Sequence, residues 1–131
     1  MLDTILCIDD DAITLMLCKM VIAKASFSSD IATAKNGEEA LKYFDTIKIT
    51  NSINKPQLIF LDLNMPVMGG WEFLDSFSTS VYSDYNETKV IILSSTIDPE
   101  DLKKSKKYPM VIDFLSKPIS KEMLEYLKNK I

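Results

Sequence analysis

Apolar residues in this chain gather into short unbroken runs, each closed by acidic, polar or turn-forming residues. Residues 4–8 (Thr4-Ile5-Leu6-Cys7-Ile8), 57–61 and 89–93 have the length and continuity of strands buried on both faces. Met110 to Leu115 makes a further strand, and Ser28 to Ala34 a less marked one. Between them the spacing becomes helical. Residues 12–25 form one helix with Asp11 as N-cap, and 38–47 a second, after an Asn36-Gly37 turn and with acids in its first turn. Residues 71–77 form a third, with Trp71, Phe73, Leu74 and Phe77 as its apolar face. A short helix starts at Asp98-Pro99 and places Lys103, Lys104, Lys106 and Lys107 toward its C-terminal end, and residues 120–130 form the last helix, capped by Ser120. Lys48 to Pro56 reads as a loop, and Ser78 to Thr88 as a polar connector without assignable structure.

Strand and helix therefore alternate five times without a break that suggests a boundary. This predicts one α/β domain with a parallel sheet, helices on both faces and right-handed crossovers. Ligands of such sheets sit beyond the carboxyl ends of the strands, where strand order reverses. The residues found there are Asp9 and Asp10 after the first strand, Asp62 after the third, Ser94 after the fourth and Lys117 after the fifth.

A length of 131 residues suits one domain with its own core, and 47% hydrophobic with 26% charged residues is a globular composition. The formal net charge of −4 disfavours a nucleic-acid binder, which needs a basic stripe. No apolar run is long enough to span a membrane and no secretory leader is evident, so a cytoplasmic protein is expected. Cys7 and Cys18 lie in apolar surroundings without CxxC spacing and read as buried reduced thiols. The chain has fifteen Lys but neither Arg nor His. Nucleophile pairs built on His are thus excluded, and a phosphate must be met by Lys, hydroxyl or backbone N–H groups.

Three carboxylates gathered at one rim repel one another, so they either raise a pKa or hold a cation. Hard oxygen donors in small number suit Mg²⁺, and a nearby Lys117 and Ser94 suit phosphate oxygens. Together these parts describe phosphoryl transfer to an Asp nucleophile, with Asp62 the candidate.

Four motifs in order carry a resemblance: the acidic pair Asp9-Asp10 after an apolar strand, D-x-x-M-P-x-M-x-G from Asp62 to Gly70, Ser94 ending the fourth strand, and Lys117-Pro118 ending the fifth. Over essentially its whole length the chain resembles the response-regulator receiver domains of bacterial two-component signalling. The resemblance implies a flavodoxin-like (βα)5 fold with strand order 2-1-3-4-5, as a single domain over 1–131 with no output domain. It implies that Asp62 is the phosphoacceptor and that Asp10, Asp62 and the Asn64 backbone carbonyl bind Mg²⁺ or Mn²⁺, with Asp9 acting through water. Ser94 and Lys117 would hold the phosphoryl group, across a cis Lys117–Pro118 bond. Phe114 would be the aromatic switch, with Asn64 and Thr96 tuning hydrolysis. The implied partners are a sensor histidine kinase or histidine-phosphotransfer protein and a downstream protein, the chain being a monomer or a phosphorylation-dependent dimer.

Two other classes compete: a receiver-like interaction module indifferent to phosphorylation, and a metal-dependent phosphatase. The D-x-D-x-T nucleophile motif of haloacid-dehalogenase-like phosphatases is not met, since Ile13 and Ala12 occupy positions it needs. The run Ala12-Ile13-Thr14-Leu15-Met16-Leu17-Cys18 lacks a polar stripe, so part of it is expected at the surface as a docking face for the phosphodonor.

Overall fold

A computed structural model describes residues 2–50 and 55–131. Its strands are β1 (Leu2–Ile8), β2 (Ser28–Ala34), β3 (Leu58–Leu61), β4 (Lys89–Ser94) and β5 (Val111–Ser116). Its helices are α1 (Ala12–Lys24), α2 (Gly37–Thr50), α3 (Gly70–Phe77), α4 (Pro99–Ser105) and α5 (Lys121–Lys128). All strand pairs are parallel, in the order β2-β1-β3-β4-β5.

The unbroken apolar runs work because each strand feeds two cores by its period of two. Leu6, Ile8, Ile59 and Leu61 face α2 and α3, where Phe44, Phe73, Leu74 and Phe77 fill one core. Ile5, Cys7, Leu58 and Phe60 face the other side, against Leu15, Cys18 and Ile22 of α1 and Leu124 and Leu127 of α5. Phe44 is fully buried, with its ring centroid 4.7 Å from Phe77 and 4.9 Å from Tyr85. Such aromatic packing contributes about 1 kcal/mol per pair beyond area burial.

Several element limits differ from those expected. β1 starts at Leu2, because the Leu2 N–H reaches the Phe27 carbonyl and draws the chain into register with Ser28. The second helix runs to Thr50, so Lys48 to Thr50 are helical; Ile47 is buried, and the Thr46 and Thr50 hydroxyls bond back to the Lys42 and Thr46 carbonyls. Residues 51–54 of the expected loop lie outside the described residues. The connector 78–88 contains a kinked 3₁₀ segment, Ser80–Tyr85. Its two buried rings anchor it: the Tyr82 hydroxyl donates to Asp45 at 2.9 Å and the Tyr85 hydroxyl to the Phe44 carbonyl at 3.4 Å. Burial first, then the Asp45 carboxylate, pushes Tyr82 up to about 12.

No helix among the described residues is long and apolar enough to cross a membrane. Cys7 and Cys18 are free and buried. α1 carries apolar residues around its whole circumference. Leu15, Cys18 and Ile22 turn inward, and Ile13, Met16, Leu17 and Met20 are left exposed. The exposed set follows i, i+3, i+4, i+7 spacing, so it forms one stripe along the outer face.

Candidate functional site

Strand register gathers the acidic residues. Ile8 of β1 pairs with Leu61 of β3, so Asp9 and Asp62, each one residue further on, emerge side by side at the switch point between β2-β1 and β3-β4-β5. The Asp62 N–H donates to the Ile8 carbonyl and the Asp9 N–H to the Ala34 carbonyl, which holds both backbones to the sheet. On the other side Ser94 pairs with Ser116, and the Lys117 N–H donates to the Ser94 carbonyl at 2.8 Å. The Lys117–Pro118 peptide is cis.

Asp9 and Asp62 are buried and Asp10 is exposed, and one carboxylate oxygen from each lies within 4.8 Å of the others. Lys117 Nζ bridges the two buried acids, 2.6 Å from Asp9 Oδ2 and 3.3 Å from Asp62 Oδ1. The tighter partner is thus Asp9 and not the candidate nucleophile. Local geometry accounts for this. Asp9 is aimed by the Asp11 N–H, which donates to Oδ1 at 2.9 Å and leaves Oδ2 for the lysine; Asp62 Oδ1 is shared between Lys117 and the Leu63 N–H at 2.9 Å. Sequence reasoning missed these two N–H groups, since backbone donors carry no residue-type signal.

Burial and then the Asp9 charge raise the Asp62 pKa, against the lowering by Lys117 and Leu63. Burial acts to lower the Lys117 pKa, but the Asp9 hydrogen bond and both carboxylate charges outweigh it and raise the value. The pocket therefore holds more negative charge than one ammonium neutralises. A dense set of hard oxygen donors with unbalanced charge fits a small divalent cation.

The remaining candidate residues surround this centre. Ser94 is buried at the end of β4, while Thr96 is exposed in the following loop and Asn64 is exposed two residues after Asp62. Phe114 is buried, in a cluster with Leu63 and Ile92 that Trp71 and Val111 cover. Trp71, expected as part of an ordinary core face, stacks on Tyr108 at 5.7 Å and lies under Lys104 Nζ at 4.8 Å. Between Asp62 and α3 the loop makes a tight turn at exposed Val67, with φ of 69°, closed by the Met68 N–H on the Pro66 carbonyl. A β-branched residue in that region is strained. Gly70 then lets the start of α3 lie against the Asp62 backbone: a Cβ there would sit 2.5 Å from the Asp62 carbonyl oxygen.

Comparison with known proteins agrees with this arrangement. The family model for the response regulator receiver domain matches residues 5–127. A two-component response regulator from Cytophaga hutchinsonii has a solved structure that is 31% identical, with a TM-score of 0.88, covering 98% of this chain and 96% of that one. The chemotaxis protein CheY4 of Vibrio cholerae is 25% identical with a TM-score of 0.78, over 100% of this chain and 99% of that one. Among curated proteins, an uncharacterized response regulatory protein of Staphylococcus epidermidis is 30% identical over 97% of this chain and 45% of its own length. The protein-glutamate methylesterase/protein-glutamine glutaminase of Bacillus subtilis is 29% identical over 96% of this chain and 32% of its own length. The chain thus spans less than half the length of these curated relatives. With its sheet order, its acidic rim and a family match over nearly its full length, this chain belongs to the response regulator receiver domain family.

Proposed function

We propose that Asp62 accepts a phosphoryl group from a phosphohistidine on a partner protein and that the domain signals through protein contact or passes the group on along a phosphorelay. The observation that carries this reading is the convergence of buried Asp62 with Asp9, Asp10 and Lys117 at the rim set by strand register. Asp62 Oδ1 is engaged by the Leu63 N–H and Lys117, so Oδ2 supplies the attacking lone pair. The new O–P bond forms as the P–N bond to the donor imidazole breaks, and water later hydrolyses the acyl phosphate. Asp10, Asp62 and the Asn64 carbonyl, with Asp9 through water, would hold Mg²⁺ or Mn²⁺, which when bound neutralises charge on the phosphoryl oxygens. Lys117 supplies the protein's own cation and Ser94 a hydroxyl donor, while Asn64 and Thr96 tune the rate of hydrolysis. Phosphorylation is relayed by Ser94 and Phe114 toward α4 and α5 as a population shift. The domain acts as a phosphoacceptor and not as a catalyst for an external substrate.

Acetyl phosphate with Mg²⁺ tests this. The expected outcome is one labile phosphoryl adduct by mass, absent from Asp62→Asn, with slow release of inorganic phosphate. No adduct on the parent protein favours a phosphorylation-independent module; rapid hydrolysis of varied phosphoesters favours a phosphatase.

The exposed α1 stripe, Ile13, Met16, Leu17 and Met20, supports a docking face for the sensor histidine kinase or histidine-phosphotransfer donor, since α1 starts three residues after Asp9. With a purified phosphotransfer partner, Met16→Ser should slow transfer roughly tenfold, by loss of a buried anchor of about 1–2 kcal/mol. Labelling by acetyl phosphate should stay unchanged. Equal transfer to both proteins would reject the assignment.

A further inference from the structure

The fold brings together two residues that the phosphoryl chemistry does not use. Cys7 stands in β1 two residues before Asp9, and Cys18 lies on the inward face of α1. Exposures of 1% and 3% place both side chains in the core between sheet and helix, where they belong to one packed cluster and line one small cavity. The neighbouring Cys7 thiol, ahead of the opposing effect of burial, lowers the Cys18 pKa. That cavity, of about 10 Å³, is lined by Asp9 and Asp62 as well. The thiols and the two buried acids therefore border one small space.

We infer that Cys7 and Cys18 are a dithiol–disulfide pair whose oxidation ties α1 to β1 and slows phosphoryl acceptance at Asp62, the effect on Asp62 resting on the function proposed above. An S–S bond of about 2.05 Å draws the sulfurs well inside their contact distance. Cys18 is part of the same rigid helix that Asp11 caps through the Ile13 N–H, and Asp11 in turn holds Asp9 through its own N–H. Movement of α1 toward β1 therefore reaches the two acids that precede it. Misplacement on the scale of 1 Å at a reacting centre costs up to about a hundredfold in rate.

The chemistry needs a two-electron thiol oxidant, for which diamide serves as probe. Two S–H bonds break and one S–S bond forms, while two electrons and two protons pass to the N=N bond of diamide and reduce it to the hydrazine. A dithiol reductant reverses the change.

The full chain is treated with diamide under native conditions and examined by mass, by non-reducing electrophoresis and by mapping of linked peptides. It should lose the mass of two hydrogen atoms, stay a single chain and show Cys7 joined to Cys18. Adduct formation from acetyl phosphate and Mg²⁺ should then be roughly tenfold slower. Dithiothreitol should restore it, and Cys18→Ala should be insensitive to diamide. Two thiols still free to alkylate after unfolding, a bond between two chains, or a linked pair with an unchanged phosphorylation rate would each overturn the inference. If neither redox form takes a phosphoryl group, the phosphoacceptor reading fails and takes the effect on Asp62 with it. The linked peptide still decides whether the pair forms.

Discussion

Replacing Lys117 by Met should lower stability at neutral pH by roughly 3 kcal/mol, the scale for removing one partner of a buried ion pair. The lysine lies between two carboxylates that are almost fully buried, at 2.6 Å and 3.3 Å, and its removal leaves two like charges facing each other without a cation. The pH profile gives the signature. The Lys117 pKa is raised in the fold, so its contribution is fully present below the ordinary lysine pKa and is lost as pH rises through the raised value. Lys117→Met should lack that alkaline loss. Asp62 acts in the same sense at the acid end. Its raised pKa means that the folded state holds a proton the unfolded chain releases, so stability falls as pH rises from the ordinary carboxylate pKa through the raised one. Without Lys117 that fall should deepen. Mg²⁺ should recover more stability in the variant than in the parent, since a bound cation supplies the missing positive charge. Denaturant midpoints between pH 4 and 11, with and without Mg²⁺, measure all of this. Equal midpoints for the two proteins at pH 7 would show that Lys117 does not neutralise the pocket.

Gly70→Ala should cost about 2 kcal/mol and slow phosphorylation of Asp62, although Gly to Ala within a helix ordinarily stabilises by about 1 kcal/mol. The added Cβ would meet the Asp62 carbonyl oxygen at 2.5 Å and Leu63 Cα at 2.9 Å. Both are backbone atoms that cannot swing aside, so the first turn of α3 or the Asp62 backbone must move, and overpacking of this kind typically costs 1–3 kcal/mol. The clash therefore outweighs the propensity gain. Loss of the Gly70 N–H bond to the Leu63 carbonyl, 2.9 Å in the parent, adds to it. Urea unfolding and acetyl phosphate labelling report the two effects separately. A variant more stable than the parent would mean that α3 slides away freely and does not brace Asp62.

Much of the fold and of the site is legible in the sequence, for particular reasons. Strands β3 and β4 serve two cores at once, so nearly every position is apolar, and a run that short and that continuous marks a strand covered on both faces. Their ends then locate Asp62 and Ser94 without any tertiary information. The pairing of Lys117 with Asp9 is not legible, because it depends on which carboxylate oxygen a backbone N–H has already taken. Gly70, just outside the helix expected over 71–77, is in fact the first helical residue, suited to its place by lack of a side chain and not by unusual dihedrals. The end of α2 is hidden because Thr50 looks like a loop former until its hydroxyl finds the Thr46 carbonyl one turn back. The 3₁₀ segment depends on Asp45, far away in sequence.

The packing of Trp71 has a spectroscopic consequence. It is the single tryptophan of the chain, stacked on Tyr108, covered by Lys104 and in contact with the cluster that encloses Phe114. The Tyr108 hydroxyl is in turn fixed to Asp75 at 2.6 Å. One indole therefore touches α3, α4 and the segment leading into β5 at once. Its emission is a built-in optical gauge of how those three elements sit around the acidic pocket, free of interference from any second indole.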